Sequence, residues 1–257
     1  MTGLDQEQID WLYAQVAALV VWDAPTGRPR VLPLYTALVM VLFGLRQNLA
    51  ADVIGEVFGC GSSTVERYRD ELEILVDLVL TPLYEQIRAQ AHRGAVLIDG
   101  LVVPVGQRDG VPGLFSDKKH LVGQNVQVVA TLSGRVADVG DPCPGAMHDS
   151  RAFHESGIAT RWAAHYAPSG PGMLGDKAYQ GVGISTPYKK PPGRDLTTVR
   201  RVANTALNRL RAAVERAISH LKAWKVLKTG FRRSLHEFPA VLRTVTKLEV
   251  FRVYGLH

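Results

Sequence analysis

AVLIDGLVVPV, residues 95–105, is a valine-rich apolar run broken by one acid, Asp99. Its length and β-branched content mark a buried strand. An ionised carboxylate inside a central strand is costly unless a counter-charge or a bound cation compensates it. Asp99 is therefore a candidate functional group, the plainer alternative being a strand end that reaches solvent at the Asp-Gly turn pair.

Outward from this run the texture differs on the two sides. Residues 4–92 carry helical spacing, and within them RQNLAADVIGEVFGCGSSTVERYRDELEILVDLVL (46–80) has the layout of a helix, a short glycine turn and a serine-capped helix. That is the pattern of a helix-turn-helix, whose second helix would present Ser63, Thr64, Arg67, Tyr68 and Arg69 to a DNA groove. A plain helical hairpin is the alternative. Downstream, QNVQVVATL (124–132) and VADVGD (136–141) form a hairpin pair with Ser133-Gly134 as the turn. HDSRAFHESGIATRWAAHY (148–166) returns to helix with Asp149 or Ser150 as its cap, and GMLGDKAY (172–179) supplies another short strand. A long helix over about 198–227 and a last helical piece, 235–254, complete the order. The expectation is an all-α region over 1–92 followed by a mixed α/β domain over 93–257.

A chain of 257 residues with 46% hydrophobic content builds a substantial core. Its longest apolar stretch, Val31–Leu45, is shorter than the roughly 20 residues that span a bilayer, so it reads as a buried helix and no membrane association is expected. The opening MTGLDQEQID lacks a basic region followed by an apolar run, which argues against secretion. Cys60 and Cys143, the two cysteines, do not form a metal-like pair and suit a reducing cytoplasm. The net charge of +6 is unevenly spread. From Pro187 to the end there are 16 Lys and Arg against 4 Asp and Glu, a balance of +12, and the remaining 14 and 20 leave residues 1–186 at −6. Such an asymmetry points to a polyanionic partner, nucleic acid above all.

Two further acids join Asp99. Asp176 ends an apolar strand, the position where α/β sheets tend to hold their chemistry. On the long helix, Leu207, Leu210, Val214, Ile218 and Leu221 form one apolar stripe, and Arg211, Glu215, Lys222 and Asn208 fall beside it. Glu215 is thus expected at the edge of the core, with a surface Arg211–Glu215 pair as the simpler explanation of that spacing. Carboxylates near a phosphate-binding surface commonly hold hard divalent cations such as Mg²⁺. Two such ions about 4 Å apart serve in-line phosphodiester displacement.

These residues resemble the DDE-superfamily transposases of bacterial insertion sequences, in the Harbinger-like branch of insertion-sequence family five. LIDG with Asp99 is similar to the family's first-strand block and GDKAY with Asp176 to the block after its fourth strand. NRLRAAVERAISHLK keeps Arg211, Glu215 and Lys222 of the signature Tyr-x2-Arg-x3-Glu-x6-Lys. FSDKKHLVGQNVQVV, PGAMHDSRAF and TPYKKP match intermediate stretches, so the likeness spans nearly the whole chain. Leu101 stands where the family usually has Thr, and Asn208 replaces the signature Tyr.

The resemblance implies an RNase H-like catalytic domain in which Asp99, Asp176 and Glu215 bind two Mg²⁺ ions, with Mn²⁺ able to substitute. It implies that Arg211 and Lys222 touch phosphates of the transposon ends and that the loop with Lys189 and Lys190 faces the DNA backbone. Asp149, in the His-Asp-Ser block, is the alternative second acid. Asp176 is preferred because a strand end fixes a carboxylate better than a helix cap does. The implied function is a DNA transposase that binds terminal inverted repeats, cleaves the ends and joins the 3′-hydroxyls to target DNA, as a homo-oligomer on DNA in the bacterial nucleoid. A catalytically inactive DNA-binding relic or a domesticated metal-dependent nuclease is the alternative.

Overall fold

A computed structural model describes residues 1–23, 29–106, 108, 110–117 and 119–255. In chain order the helices α1 (Gln6–Ala17), α2 (Leu34–Gln47), α3 (Ala51–Phe58) and α4 (Ser62–Ala91) come first. Strands β1 (Val96–Pro104), β2 (Phe115–Ser116), β3 (Leu121–Thr131), β4 (Val136–Val139) and β5 (Cys143–Pro144) follow. Then come α5 (Asp149–Glu155), α6 (Ile158–Arg161), β6 (Met173–Leu174), α7 (Thr198–Lys222) and α8 (Phe238–Tyr254). The chain divides into two compact units, one of Met1–Glu85 with the segment from Lys222 onward, the other of Gln86–Leu221.

The first unit is helical. Asp5 opens α1 with a capping box completed by Gln8, and the apolar Val31–Leu45 run becomes α2, with Leu38 and Leu42 fully buried. Asn48 ends α2 in the left-handed region, and its Nδ2 bonds Thr229 Oγ1 at 2.7 Å and the Gly230 carbonyl at 2.8 Å. Gly59, at φ 70°, ends α3, and two residues, Cys60 and Gly61, separate it from α4. The C-terminal segment belongs here: Trp224 donates to Glu249 Oε2 at 3.0 Å, Gln8 donates to the Arg252 carbonyl, and Trp11 packs on Phe251. This departs from a simple division at residue 92. The reason is hydrophobic: Trp224, Leu227, Phe231 and Phe238 are large, lie within one short stretch of the sequence and are buried in the unit of the N-terminal helices.

The second unit is built on a mixed sheet. Among the described residues it has six strands, with β2, β3, β1 and β6 in that order and β4 and β5 also pairing with β3. β1 and β3 form a nine-residue antiparallel ladder, Val96 opposite Thr131 through Pro104 opposite Gly123. The β3–β4 hairpin turns at the expected place, with Gly134 at φ 81°. β6 lies parallel to β1. Val96, Ile98 and Val129 share one face of the sheet and close a core with Phe153, Trp162, Met173 and Tyr179. Asp138, from the VADVGD stretch, is a structural acid: its Oδ2 accepts from Arg161 Nε at 3.0 Å and Trp162 Nε1 at 2.7 Å.

The helix that carries Arg211 and Glu215 ends at Lys222, and a separate 3₁₀ turn covers Lys225–Leu227. Its buried residues are Ala213, Val214, Ala217 and Leu221. The anticipated stripe is therefore covered only in its C-terminal half, while Val199, Val202 and Leu210 are exposed. Small Ala213 and Ala217 let the backbone approach its neighbours, which turns the buried arc about 45° away from the expected stripe. Among the described residues no helix is long and apolar enough to cross a membrane.

Candidate active site

Strand register brings the first two acids together. In the parallel β1–β6 pair, Val96 is opposite Met173 and Leu97 opposite Leu174. Asp99, within β1, and Asp176, two residues past Leu174 where β6 ends and the backbone is still extended, each follow two residues later, so the register brings them to the same height. Since strand side chains alternate with a period of two, they lie on the same face. One oxygen of each is held locally: the Gly100 N–H donates to Asp99 Oδ1 at 2.8 Å, and the Ala178 N–H to Asp176 Oδ1 at 2.7 Å. Asp176 thereby caps the 3₁₀ turn Lys177–Tyr179.

Arg211, half-buried on α7, brings its Nη2 to 4.0 Å from Asp176 Oδ2. A cleft of about 280 Å³ opens there, lined by Asp176, Lys177, Pro187, Asn204, Asn208 and Arg211. Burial pushes the Asp99 carboxyl above its ordinary range, and the charges of Asp176 and Asp149 add to this against the Gly100 N–H and Arg211. Two nearby carboxylates act on a third with one guanidinium between them, so the site carries an excess of negative charge.

Asp149 is placed differently from expectation. His148, not Asp149 or Ser150, caps α5, its Nδ1 accepting from the Ser150 N–H. Asp149 is the first residue of the helix, buried, and takes a hydrogen bond from Asn125 Nδ2 at 3.0 Å. It packs over Gly100: a Cβ there would run into Asp149 Oδ1 and lie 3.1 Å from its Cγ. Gly100 and Asp99 are neighbours on a regular strand and point to opposite faces. Asp149 therefore approaches β1 from the side opposite the Asp99 side chain.

Glu215 is exposed, not at the core edge. The buried arc of α7 centres about 145° from it at 100° per residue. Arg211 makes its ion pair with Asp176, in place of the i, i+4 pair with Glu215. Among the described residues no group of three or more histidine, cysteine, aspartate or glutamate side chains converges to hold a metal ion. The chemistry of Asp99 and Asp176 nonetheless fits a hard divalent cation: oxygen donors, a negative excess, and one carboxyl whose proton affinity burial has raised.

The other candidates fall in several places. Lys189 and Lys190 are exposed in the loop after Asp176, Lys190 paired with Asp195 at 2.7 Å; Lys222 closes α7 and belongs to the first unit. Lys118, in the basic FSDKKH segment, lies outside the described residues. At the start of α4, Arg67 is exposed and Thr64 half-buried, but Tyr68 is fully buried. Its hydroxyl accepts from the Val31 N–H at 2.9 Å and its ring packs at a tilt against Trp22. The side chain thus faces the core and presents nothing to a groove; the one-in-three-or-four helical period that exposes Arg67 turns Tyr68 inward.

Asn125, Gln127 and Tyr179 were not singled out from sequence, yet all three are buried beside the acids. Asn125 and Gln127, two amides at alternate positions of the otherwise apolar NVQVV segment (125–129), were the available signal.

The profile of the DDE superfamily endonucleases matches residues 98–248. A protein of Streptomyces albus G named as a transposase for insertion sequence element IS112 is 31% identical over 205 residues, 79% of this chain and 74% of that one. A protein of Microchaete diplosiphon named as a transposase for insertion sequence element IS702 is 25% identical over 250 residues, 93% of this chain and 87% of its own. No solved structure gives a significant match.

Proposed function

The chain belongs to the DDE superfamily endonucleases, and from that premise we propose that it is an insertion-sequence transposase which binds the terminal inverted repeats of its element, cleaves the ends and transfers the 3′-hydroxyls to target DNA. The observation that carries this reading is the parallel register of β1 and β6, with Asp99 and Asp176 side by side and Arg211 against the second. On this reading the mixed sheet is an RNase H-like domain, and α3, the Gly59 turn and the start of α4 are a helix-turn-helix that contacts the repeats through Thr64 and Arg67.

Asp99, Asp176 and Glu215 would hold the divalent ions, Mg²⁺ with Mn²⁺ as substitute, which when bound polarise a phosphodiester and lower the pKa of an attacking water or hydroxyl. The chain's own groups do the rest. The Gly100 and Ala178 amides fix the carboxylates of Asp99 and Asp176, each leaving an oxygen for the ligand side. Arg211 takes a phosphate oxygen at the mouth of the cleft, and Asn204, Asn208 and Lys177 line the path of the backbone beside it. Exposed Lys189 and Lys190 add sequence-independent attraction. Glu215 joins this site through a movement of α7 or of its own side chain on binding DNA. Pairing two ends calls for a homo-oligomer on DNA.

The test is Mg²⁺-dependent cleavage of a plasmid carrying the gene with its flanking DNA, by wild type and Glu215→Gln side by side. Cuts at the flanks by wild type alone support the transposase with Glu215 in its site. Equal cutting by both removes Glu215. No cutting by either, in protein that is folded and binds the flanks, supports the inactive DNA-binding reading, which the exposure of Glu215 favours. A strand-transfer assay separates a transposase from a nuclease that only cuts.

A further inference from the structure

Behind β1, a chain of four buried polar side chains runs across the sheet. Tyr179 Oη donates to Gln127 Oε1 at 2.6 Å, Gln127 Nε2 to Asn125 Oδ1 at 2.9 Å, and Asn125 Nδ2 to Asp149 Oδ1 at 3.0 Å and to the Met147 carbonyl at 3.0 Å. Gln127 and Tyr179 are wholly buried and Asn125 is 2% exposed. The space for the chain is the missing side chain of Gly100, which pairs with Gln127 across the ladder and lies directly under Asp149.

Its direction is fixed by one end. A carboxylate only accepts, so Asn125 must offer Asp149 its amide N–H; its Oδ1 is then left to accept from Gln127, and the Gln127 oxygen to accept from the tyrosine. Each bond orients the next, and in a dry interior such a satisfied chain is rigid. The two ends matter because of what they carry. Tyr179 closes the 3₁₀ turn that begins with Asp176, and Gly100 follows Asp99 and gives it a hydrogen bond.

We propose that Tyr179, Gln127 and Asn125 are positioning residues that fix Asp176 relative to Asp99, and that Asp149 anchors this chain instead of serving as a metal-holding acid. The inference rests on the divalent-ion reading of the site given above. Asp149 lies on the far side of β1 from the Asp99 carboxylate, and its Oδ1 is already engaged by Asn125. A group in that position acts on the site through backbone placement, as the outer partners of metal ligands do.

Mn²⁺ binding to the full chain without DNA, followed by the paramagnetic resonance of the free ion, tests this independently of cleavage. Tyr179→Phe, Asp149→Asn and, for comparison, Asp176→Asn are measured with urea unfolding of each. The expected result is an affinity for Mn²⁺ weakened about tenfold in Tyr179→Phe and Asp149→Asn with the number of bound ions unchanged, and fewer ions in Asp176→Asn. Fewer ions bound by Asp149→Asn would make it a ligand and overturn the proposal. So would a Tyr179→Phe protein that loses stability while binding Mn²⁺ as wild type does, since the chain would then be structural only. Wild-type protein that is folded and binds no Mn²⁺ would overturn the divalent-ion reading itself, and this inference with it. Should Asp149→Asn not fold, Tyr179→Phe, which removes a single oxygen, decides the matter.

Discussion

Asp99 stands level with Asp176 because Leu97 and Leu174, two residues before them, pair across the parallel junction of β1 and β6. Neither acid has a preceding neighbour in sequence that predicts the other; the ladder alone brings them together. The pairing also explains why Asp99 resists ionisation, since burial and the facing Asp176 act in the same direction.

Asp99→Asn is expected to abolish metal-dependent cleavage while raising the stability of the metal-free protein at neutral pH. A carboxyl whose folded pKa is raised binds its proton more tightly in the native state, so the protein loses stability as pH rises from the unfolded value through the folded one. Urea unfolding without metal should show wild type weakening over that range and Asp99→Asn lacking this component.

Gly100→Ala places a methyl group against the buried Asp149, at a half-buried position of a central strand. Displacing Asp149 or the strand should cost about 1–3 kcal/mol, as overpacking does. Chemical denaturation gives the cost, and Mn²⁺ affinity should fall in the same variant.

Asp138→Ala leaves Arg161 and the Trp162 indole without their shared acceptor. Because Arg161 keeps 31% of its side chain exposed, the loss is placed near 3 kcal/mol, the lower end for a broken buried pair. Unfolding midpoints measure it, and cleavage per folded molecule should be unchanged.

Arg67→Ala should weaken DNA binding across sequences and lower the salt slope by about 1 if Arg67 contacts a phosphate. Tyr68→Phe should leave that slope unchanged and cost about 1 kcal/mol of stability through the lost bond to the Val31 N–H. Fluorescence anisotropy at several salt concentrations separates the two.

Much of this protein is local and was legible as such. The valine-rich 95–105 run, the Ser133-Gly134 turn and the glycines around residue 60 determine strands, a hairpin and helix ends, because period and turn chemistry depend on near neighbours. The same holds for the basic C-terminal charge and for the acids of the LIDG, GDKAY and arginine–glutamate blocks. What the tertiary structure decided is orientation. Packing through Ala213 and Ala217 turned α7 so that Glu215 faces solvent, the core took Tyr68, and His148 released Asp149 from capping to anchor Asn125 beneath Gly100. Each of these depends on which side of a helix or strand meets a distant partner. A sequence pattern defines an arc of about 100° or more for that side, and close packing selects the rotation within it.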